Sequence, residues 1–344
     1  MTGNMNPLRL LVALAALLVT AAHAATGLTE IPGIEGNLPI TVFYRTAAVP
    51  QPLKRGPFTV NAAYDGAPER GNGRLIVVSH GSGGSAWTYT NLANTLVAAG
   101  YVVAIPLHRG DNYSDMSEIG PPSWRRRPVE VSHAIDAVGR DARFAPLLAL
   151  DKVGVYGMSA GGHTALTLAG GRWSPQGLLR HCQAHIAEDF PSCVGLITSL
   201  KGDFLDGVRK SVALWVIAWR FSDPTPQSYT DPRVKAVIAA VPFAADFDMA
   251  SLAKPATPLG LVIADQDKWL APRFHVGAVR AACASCEVVS EIAAGGHGAL
   301  LSPLPPNLTG RAGELLNDPP GFDRSVLPET DRRIAAFFSK HLLP

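Results

Sequence analysis

Lys152-Val153-Gly154-Val155-Tyr156-Gly157-Met158-Ser159-Ala160-Gly161-Gly162 is the stretch on which the reading of this chain turns. The run 152–156 reads as a buried strand, and residues 162–170 read as a helix. Strand, G-x-S-x-G and helix together form the pattern of a nucleophile elbow. A sharp turn lifts the serine oxygen out of the sheet, and glycines flank it because side chains there would collide with neighbouring backbone. The motif alone is weak, since a chain with 33 glycines can produce it by chance.

Its surroundings give it weight. Upstream, residues 74–79 (RLIVVS) read as a buried strand running into His80-Gly81-Ser82-Gly83-Gly84, a turn that can present backbone N–H groups to a developing oxyanion. Downstream, Asp265 and Asp267 follow the apolar strand 259–264 (LGLVIA), and His297 stands among Gly295, Gly296 and Gly298. Further strands are expected at 38–44, 101–105, 234–241 and 287–292, with helices at 87–99, 128–138, 274–282 and 329–342. The alternation in 38–44 suits an exposed edge strand, 50–57 a loop, and 58–64 a segment that pairs back. The proline-rich stretch 302–328 reads as a surface loop.

Alternating strands and helices specify an α/β fold with a mainly parallel sheet covered on both faces. Ligands in such sheets sit at the carboxyl ends of the strands. His80, Ser159, Asp265, Asp267 and His297 all fall just after expected strands, so one edge collects them. The span 172–232 is far longer than an ordinary connection and reads as an insertion. It suggests a cap over a pocket, with Trp215 and Trp219 on one face of a helix; the alternative is that these tryptophans pack the insertion onto the core.

Composition narrows the function classes. At 344 residues, 47% apolar and 17% charged, the chain is a folded protein and not a disordered one. Net charge is +2, and the longest basic run, Arg125-Arg126-Arg127, reads as a solvated helix start, so nucleic-acid binding has little support. At the N-terminus, Arg9 precedes residues 10–22 (LLVALAALLVTAA), and Ala22-His23-Ala24 resembles a cleavage site. Residues 1–24 are therefore expected to be a secretory signal peptide. The run is short for a membrane span, and no second segment suits one. The expected mature chain, 25–344, is a single domain without a stable membrane span, periplasmic or secreted. Oligomeric state leaves no mark on the sequence.

Export changes how Cys182, Cys193, Cys283 and Cys286 read. An even set in an oxidising compartment suggests two disulfides, with three connectivities open and pairing by proximity favoured. Cys283-Ala284-Ser285-Cys286 is also the spacing of a redox or zinc motif. It closes a helical stretch instead of opening one, and no further soft ligands lie near it.

The chemistry assigns roles. Ser159 needs a base, and His297 is placed to take its proton and return it to a leaving group. An acid must orient the imidazole; Asp267 is favoured, because the first residue past a strand usually packs beneath the sheet edge, which demotes Asp265. Asp246, after the preceding strand, is a third candidate. Ala160 and Ser82 are the expected oxyanion donors through their N–H groups. His80 reads as a structural support of its turn, and His108, His133 and His163 as structural or exposed.

Residues 39–44 (PITVFY), 79–84 (SHGSGG), Arg127-Pro128, Ile135-Asp136 and 157–162 (GMSAGG) together resemble the dienelactone hydrolase-like branch of the α/β-hydrolases. That branch is itself similar to platelet-activating-factor acetylhydrolases. The resemblance runs from about residue 38 to residue 297 and implies an α/β-hydrolase fold with a Ser-Asp-His triad. Dienelactone hydrolases use a cysteine nucleophile, so Ser159 ties the likeness to ancestry more than to substrate. In the acetylhydrolases the acid follows the earlier strand, the position of Asp246. The expectation is an exported serine esterase acting on a small-molecule or lipid-like ester, without metal or organic cofactor. Alternatives are a peptidase or lactone hydrolase on the same triad, or a non-catalytic binding protein on a hydrolase scaffold.

Overall fold

Ten strands lie in one sheet, in the order β12-β11-β9-β7-β5-β6-β2-β1-β4-β3. The computed structural model describes residues 25–344; the expected signal peptide lies outside the described residues. The strands are β1 (Ala25–Ile31), β2 (Ile40–Thr46), β3 (Gln51–Arg55), β4 (Phe58–Tyr64), β5 (Leu75–Ser79) and β6 (Val102–Pro106), followed by β7 (Val153–Met158), the short β8 (Arg172–Trp173), β9 (Val234–Ala240), the short β10 (Phe247–Asp248), β11 (Leu259–Ala264) and β12 (Glu287–Ile292). Along this sheet from β6 to β12 every pairing is parallel, while β2 opposes both β6 and β1; β8 and β10 pair antiparallel with each other outside it.

Side chains alternate across this sheet with period two. Leu75, Val77, Val153 and Val155 face one buried cluster, while Ile76, Val78, Tyr156 and Met158 face the other. The first face is covered by α2 (Pro121–Arg140), α3 (Ala160–Leu168) and α7 (Val276–Ala282). The second is covered by α1 (Thr90–Ala98) and α9 (Leu327–Leu342). From β5 the chain first steps outward to β6, then returns to pair β7 on the other side of β5. Parallel crossovers are right-handed, so this reversal sends α1 and α2 to opposite faces. It also opens a crevice between the carboxyl ends of β5 and β7, the place where doubly wound sheets bind ligands.

Several local expectations need correction. Residues 38–44 do not form an edge: β2 is interior and buried along nearly its whole length, because β1 pairs with its outer side. No element was expected at Ala25–Ile31. Residues 51–55 form β3 and not a loop, paired antiparallel with β4. The helix expected from Pro128 starts at Pro121, where two prolines occupy first-turn positions that need no N–H partner, and Pro128 lies inside it. Within 302–328 the chain forms a short helix, α8 (Gly310–Leu316). The span 172–232 folds as α4 (Pro175–His185), α5 (Phe190–Val194) and α6 (Asp206–Arg220). Disulfides join Cys182 to Cys193, tying α4 to α5, and Cys283 to Cys286. Among the described residues no helix is long and apolar enough to cross a membrane.

One packed carboxyl makes the fold's stability depend on pH. Asp331 on α9 is buried without a basic partner among the described residues, and burial pushes its pKa up to about 7. An unfolded aspartate ionises near pH 4, so between about pH 4 and 7 the native state holds a proton that the unfolded chain has lost. Stability from this group is complete below that window and declines as pH rises through it. Asp331→Asn, which removes the titration, should melt at a higher temperature than the wild type at pH 8, the gap closing by pH 4. Scanning calorimetry checks this; a gap independent of pH would show that ionisation of Asp331 plays no part.

Candidate active site

Ser159 occupies a strained turn between β7 and α3, with φ 58° and ψ −118°. A non-glycine residue held there costs on the order of 1–3 kcal/mol, which its surroundings must supply. Its N–H donates to the Ala240 carbonyl at 3.1 Å, and its carbonyl accepts from the N–H groups of His163 at 3.0 Å and Phe243 at 3.1 Å. The flanking glycines are steric necessities. A Cβ on Gly157 would lie 1.9 Å from the Gly161 carbonyl oxygen, and one on Gly161 would lie 1.9 Å from the Ser79 carbonyl oxygen. Strand β5, strand β7 and helix α3 therefore touch backbone to backbone, and the serine side chain is turned out at the sheet's carboxyl edge.

The loops after β11 and β12 bring up the other two groups. The N–H of Gln266 donates to the Gly295 carbonyl at 2.9 Å, and that of Asp265 to the Ile292 carbonyl at 3.2 Å, fastening one loop to the other. Asp267 caps its own turn, with Oδ1 accepting from the N–H groups of Trp269 (2.8 Å) and Leu270 (2.9 Å). Its Oδ2 lies 2.7 Å from His297 Nδ1. A carboxylate there requires Nδ1 to carry the proton, which leaves Nε2 as the acceptor for the Ser159 hydroxyl at 3.0 Å. Both Asp267 and His297 are buried.

The other two acids go elsewhere. Asp265 is exposed on the far side of its turn, its carboxyl held above the usual range by partial burial and by Glu291. Asp246 is buried against His163, with Oδ2 3.1 Å from Nε2. That histidine stacks on Trp124, with ring centroids 4.9 Å apart.

The turn after β5 stands next to Ser159: a Cβ on Gly81 would be 3.9 Å from Ser159 Oγ. The Ser82 N–H donates to no acceptor among the described residues. Ala160 opens α3, so its N–H has no carbonyl one turn back within the helix. Both expected oxyanion donors are thus open and close to the serine.

What holds that turn is a polar layer that the sequence did not reveal. Arg127, expected in a solvated basic run, is fully buried. It donates to the His80 carbonyl, to Ser123 Oγ at 2.9 Å and to Asp111 Oδ2 at 2.8 Å. Asp111 in turn accepts from the Gly83 N–H at 3.2 Å and from Ser82 Oγ at 3.2 Å. Burial alone would push the Asp111 carboxyl up, but the Arg127 guanidinium overrides it and holds the group low. Burial, reinforced by Arg127, keeps both His80 and His108 far below the ordinary histidine range. Neutral His80 donates from Nδ1 to the Gly81 carbonyl at 2.7 Å and accepts the His108 N–H at Nε2, 3.2 Å away. Neutral His108 donates from Nδ1 to Glu130 at 2.6 Å and accepts from Ser79 Oγ at 2.8 Å. A trace of this layer was readable: Ser123, Arg127 and Glu130 fall on the same helical face as Trp124 and Val131, which is otherwise apolar.

Ser159 and His297 line a cavity of about 1210 Å³. Helices α5 and α6 of the 172–232 insertion supply part of its wall, together with Trp124, Phe243 and Met158. Trp215 and Trp219 do share one face of α6, but that face neither packs onto the core nor lines the cavity. They are 71% and 75% exposed. Ala213 and Ile217 take the buried face of α6, which turns positions 215 and 219 outward.

No family model matches the chain. No curated protein matches it either.

Removing the guanidinium should strand Asp111 as an unpaired buried charge. Arg127→Met is expected to lower unfolding free energy by about 3–5 kcal/mol, measured by urea denaturation. A loss under about 1 kcal/mol would mean that the turn does not depend on this pair.

Proposed function

We propose that this protein is a serine esterase on an α/β-hydrolase fold, cleaving carboxylic esters through an acyl-enzyme. The observation that carries the reading is the unbroken chain Ser159 Oγ–His297 Nε2 (3.0 Å) and His297 Nδ1–Asp267 Oδ2 (2.7 Å), at the edge where Ser82 and Ala160 offer open N–H groups. Two disulfides, Cys182–Cys193 and Cys283–Cys286, fit an oxidising compartment and support export.

In this mechanism His297 Nε2 takes the Ser159 proton as Oγ attacks the ester carbonyl carbon. The carbonyl electron pair moves onto oxygen, where the two N–H groups stabilise it; one such donor is typically worth about 3 kcal/mol in the transition state. Asp267 stays ionised and stabilises the imidazolium. Collapse breaks the C–O bond, and the departing alkoxide takes the proton from His297. Water then repeats the sequence: His297 takes its proton, the oxygen adds to the acyl carbon, and collapse frees the acid and returns the proton to Oγ. Asp267's second oxygen is tied to backbone N–H groups, so the carboxylate cannot rotate away during the cycle.

Kinetics on a p-nitrophenyl ester test the assignment. Ser159→Ala should abolish turnover with the thermal transition nearly unchanged. Asp267→Asn should lower kcat by about 10⁴-fold, because the imidazole loses its ionic partner and can adopt the wrong tautomer. Asp265→Asn and Asp246→Asn should cost at most about tenfold, on the order of 1.4 kcal/mol in the barrier. A severe loss confined to Asp246→Asn would move the acid to the preceding strand.

A further inference from the structure

Around Ser159 the cavity is large, apolar and free of negative charge. Its volume of about 1210 Å³ exceeds the roughly 300–1,000 Å³ of a pocket for a drug-sized molecule. An acetyl group would leave most of it unfilled. Its lining is mainly aliphatic and aromatic and includes no aspartate or glutamate among the described residues. The lysine and arginine side chains that reach it are Arg209 and Arg220. Arg209 is neutralised by Asp203 at 2.6 Å and by Asp206. Arg220 is exposed at the end of α6 and forms no ion pair among the described residues. A cationic substrate group would find no carboxylate here and would face an unpaired guanidinium.

The wall contributed by α6 has a regular construction. Val208, Val212 and Val216 are four residues apart, so they stack as one ridge, and all three line the cavity. Ala213 and Ile217, each about 100° round the helix from Val212 and Val216, line the cavity as well and join the hydrophobic core. Burial of Ala213 and Ile217 anchors α6, and the ridge beside them presents branched methyl groups to whatever fills the space.

We infer that the site takes esters carrying one large uncharged hydrocarbon arm, of medium to long chain length or equivalent bulk, and that the Val208–Val212–Val216 ridge sets the length accepted. This rests on the esterase reading and names the substrate class of that same site. Full burial of each added methylene corresponds to about a fourfold gain in binding, so selectivity rises with chain length until the arm meets the ridge. A choline-type head on the ester would meet no acidic partner and the Arg220 guanidinium, with aromatic faces alone to offset them.

The test compares kcat/KM for p-nitrophenyl acetate, butyrate, octanoate and laurate, and for alkyl acetates of the same chain lengths. In at least one series the wild type should gain about tenfold or more from the shortest member to the eight-carbon one. Val216→Trp and Val212→Trp should lower the octanoate-to-acetate ratio of kcat/KM by about tenfold or more. Val212 is 55% exposed, so its replacement tests the ridge without demanding repacking of a core position. Octanoylcholine should be cleaved about tenfold less efficiently than its neutral isostere, 3,3-dimethylbutyl octanoate. Equal or falling efficiency with chain length in both series, with acetate still hydrolysed, would overturn the substrate class and leave the esterase reading standing. Loss of acetate and octanoate turnover in parallel, in both tryptophan variants, would remove the ridge from specificity. Parity between octanoylcholine and its isostere would overturn the charge argument. Failure to hydrolyse any ester would overturn both readings together.

Discussion

Backbone contact between β5, β7 and the start of α3 is the constraint from which the rest of the site follows. At Gly157 and Gly161 the chains approach so closely that any side chain would overlap a carbonyl group. This contact fixes the entry angle of α3 and forces Ser159 into its left-handed φ. It also sets the turn after β5 beside the serine, because the Gly161 contact is made to Ser79, the residue directly before His80-Gly81-Ser82. Ser159 and the open N–H groups beside it are positioned by one packing event at the point where the sheet changes winding direction.

Histidine–carboxylate pairs recur through the molecule, and their second nitrogens distinguish them. His275 Nε2 meets Asp189 at 3.1 Å, but its Nδ1 is spent on the Ala244 N–H at 3.0 Å. His163 meets Asp246 deep among aromatic rings, and its Nδ1 finds no partner among the described residues. His108 pairs with Glu130 and spends its other nitrogen on Ser79 Oγ, beneath the turn. His297 alone among these four points its free nitrogen at a hydroxyl that lines the large cavity. The other pairs are tied to cores and turns. None of these six side chains lines the large cavity, although His163 Nδ1, Asp246 Oδ1 and Asp189 Oδ1 have no partner among the described residues.

The central architecture was legible because it is written locally. Apolar runs 74–79, 101–105 and 259–264 carry period and length enough to be strands, and glycines mark the turn that needs close backbone approach. Strand edges were less legible. The alternation in 38–44 looks half-exposed, and the partner that covers it, β1, lies in a segment with little apolar signal of its own. Position after a strand favoured Asp267 but left Asp265 and Asp246 open; what separates them is side-chain direction, which places Asp246 on His163 and Asp267 on His297. Arg127 was misread for a related reason. An arginine within a basic run looks solvated until Asp111, Ser123 and His80 are seen to converge on it through tertiary contacts. The tryptophans of α6 show the reverse error, aromatic residues whose helix has its buried face elsewhere.

The claim that Ser159 is an activated nucleophile is open to one direct measurement: treatment of the intact protein with a fluorophosphonate, followed by peptide mapping by mass spectrometry. An activated serine forms a covalent phosphonyl adduct, whereas an ordinary surface hydroxyl does not. The account predicts one equivalent of label, located on Ser159, with incorporation lost in Asp267→Asn and His297→Ala. Absence of labelling in the folded wild type, or an adduct on another residue, would contradict it.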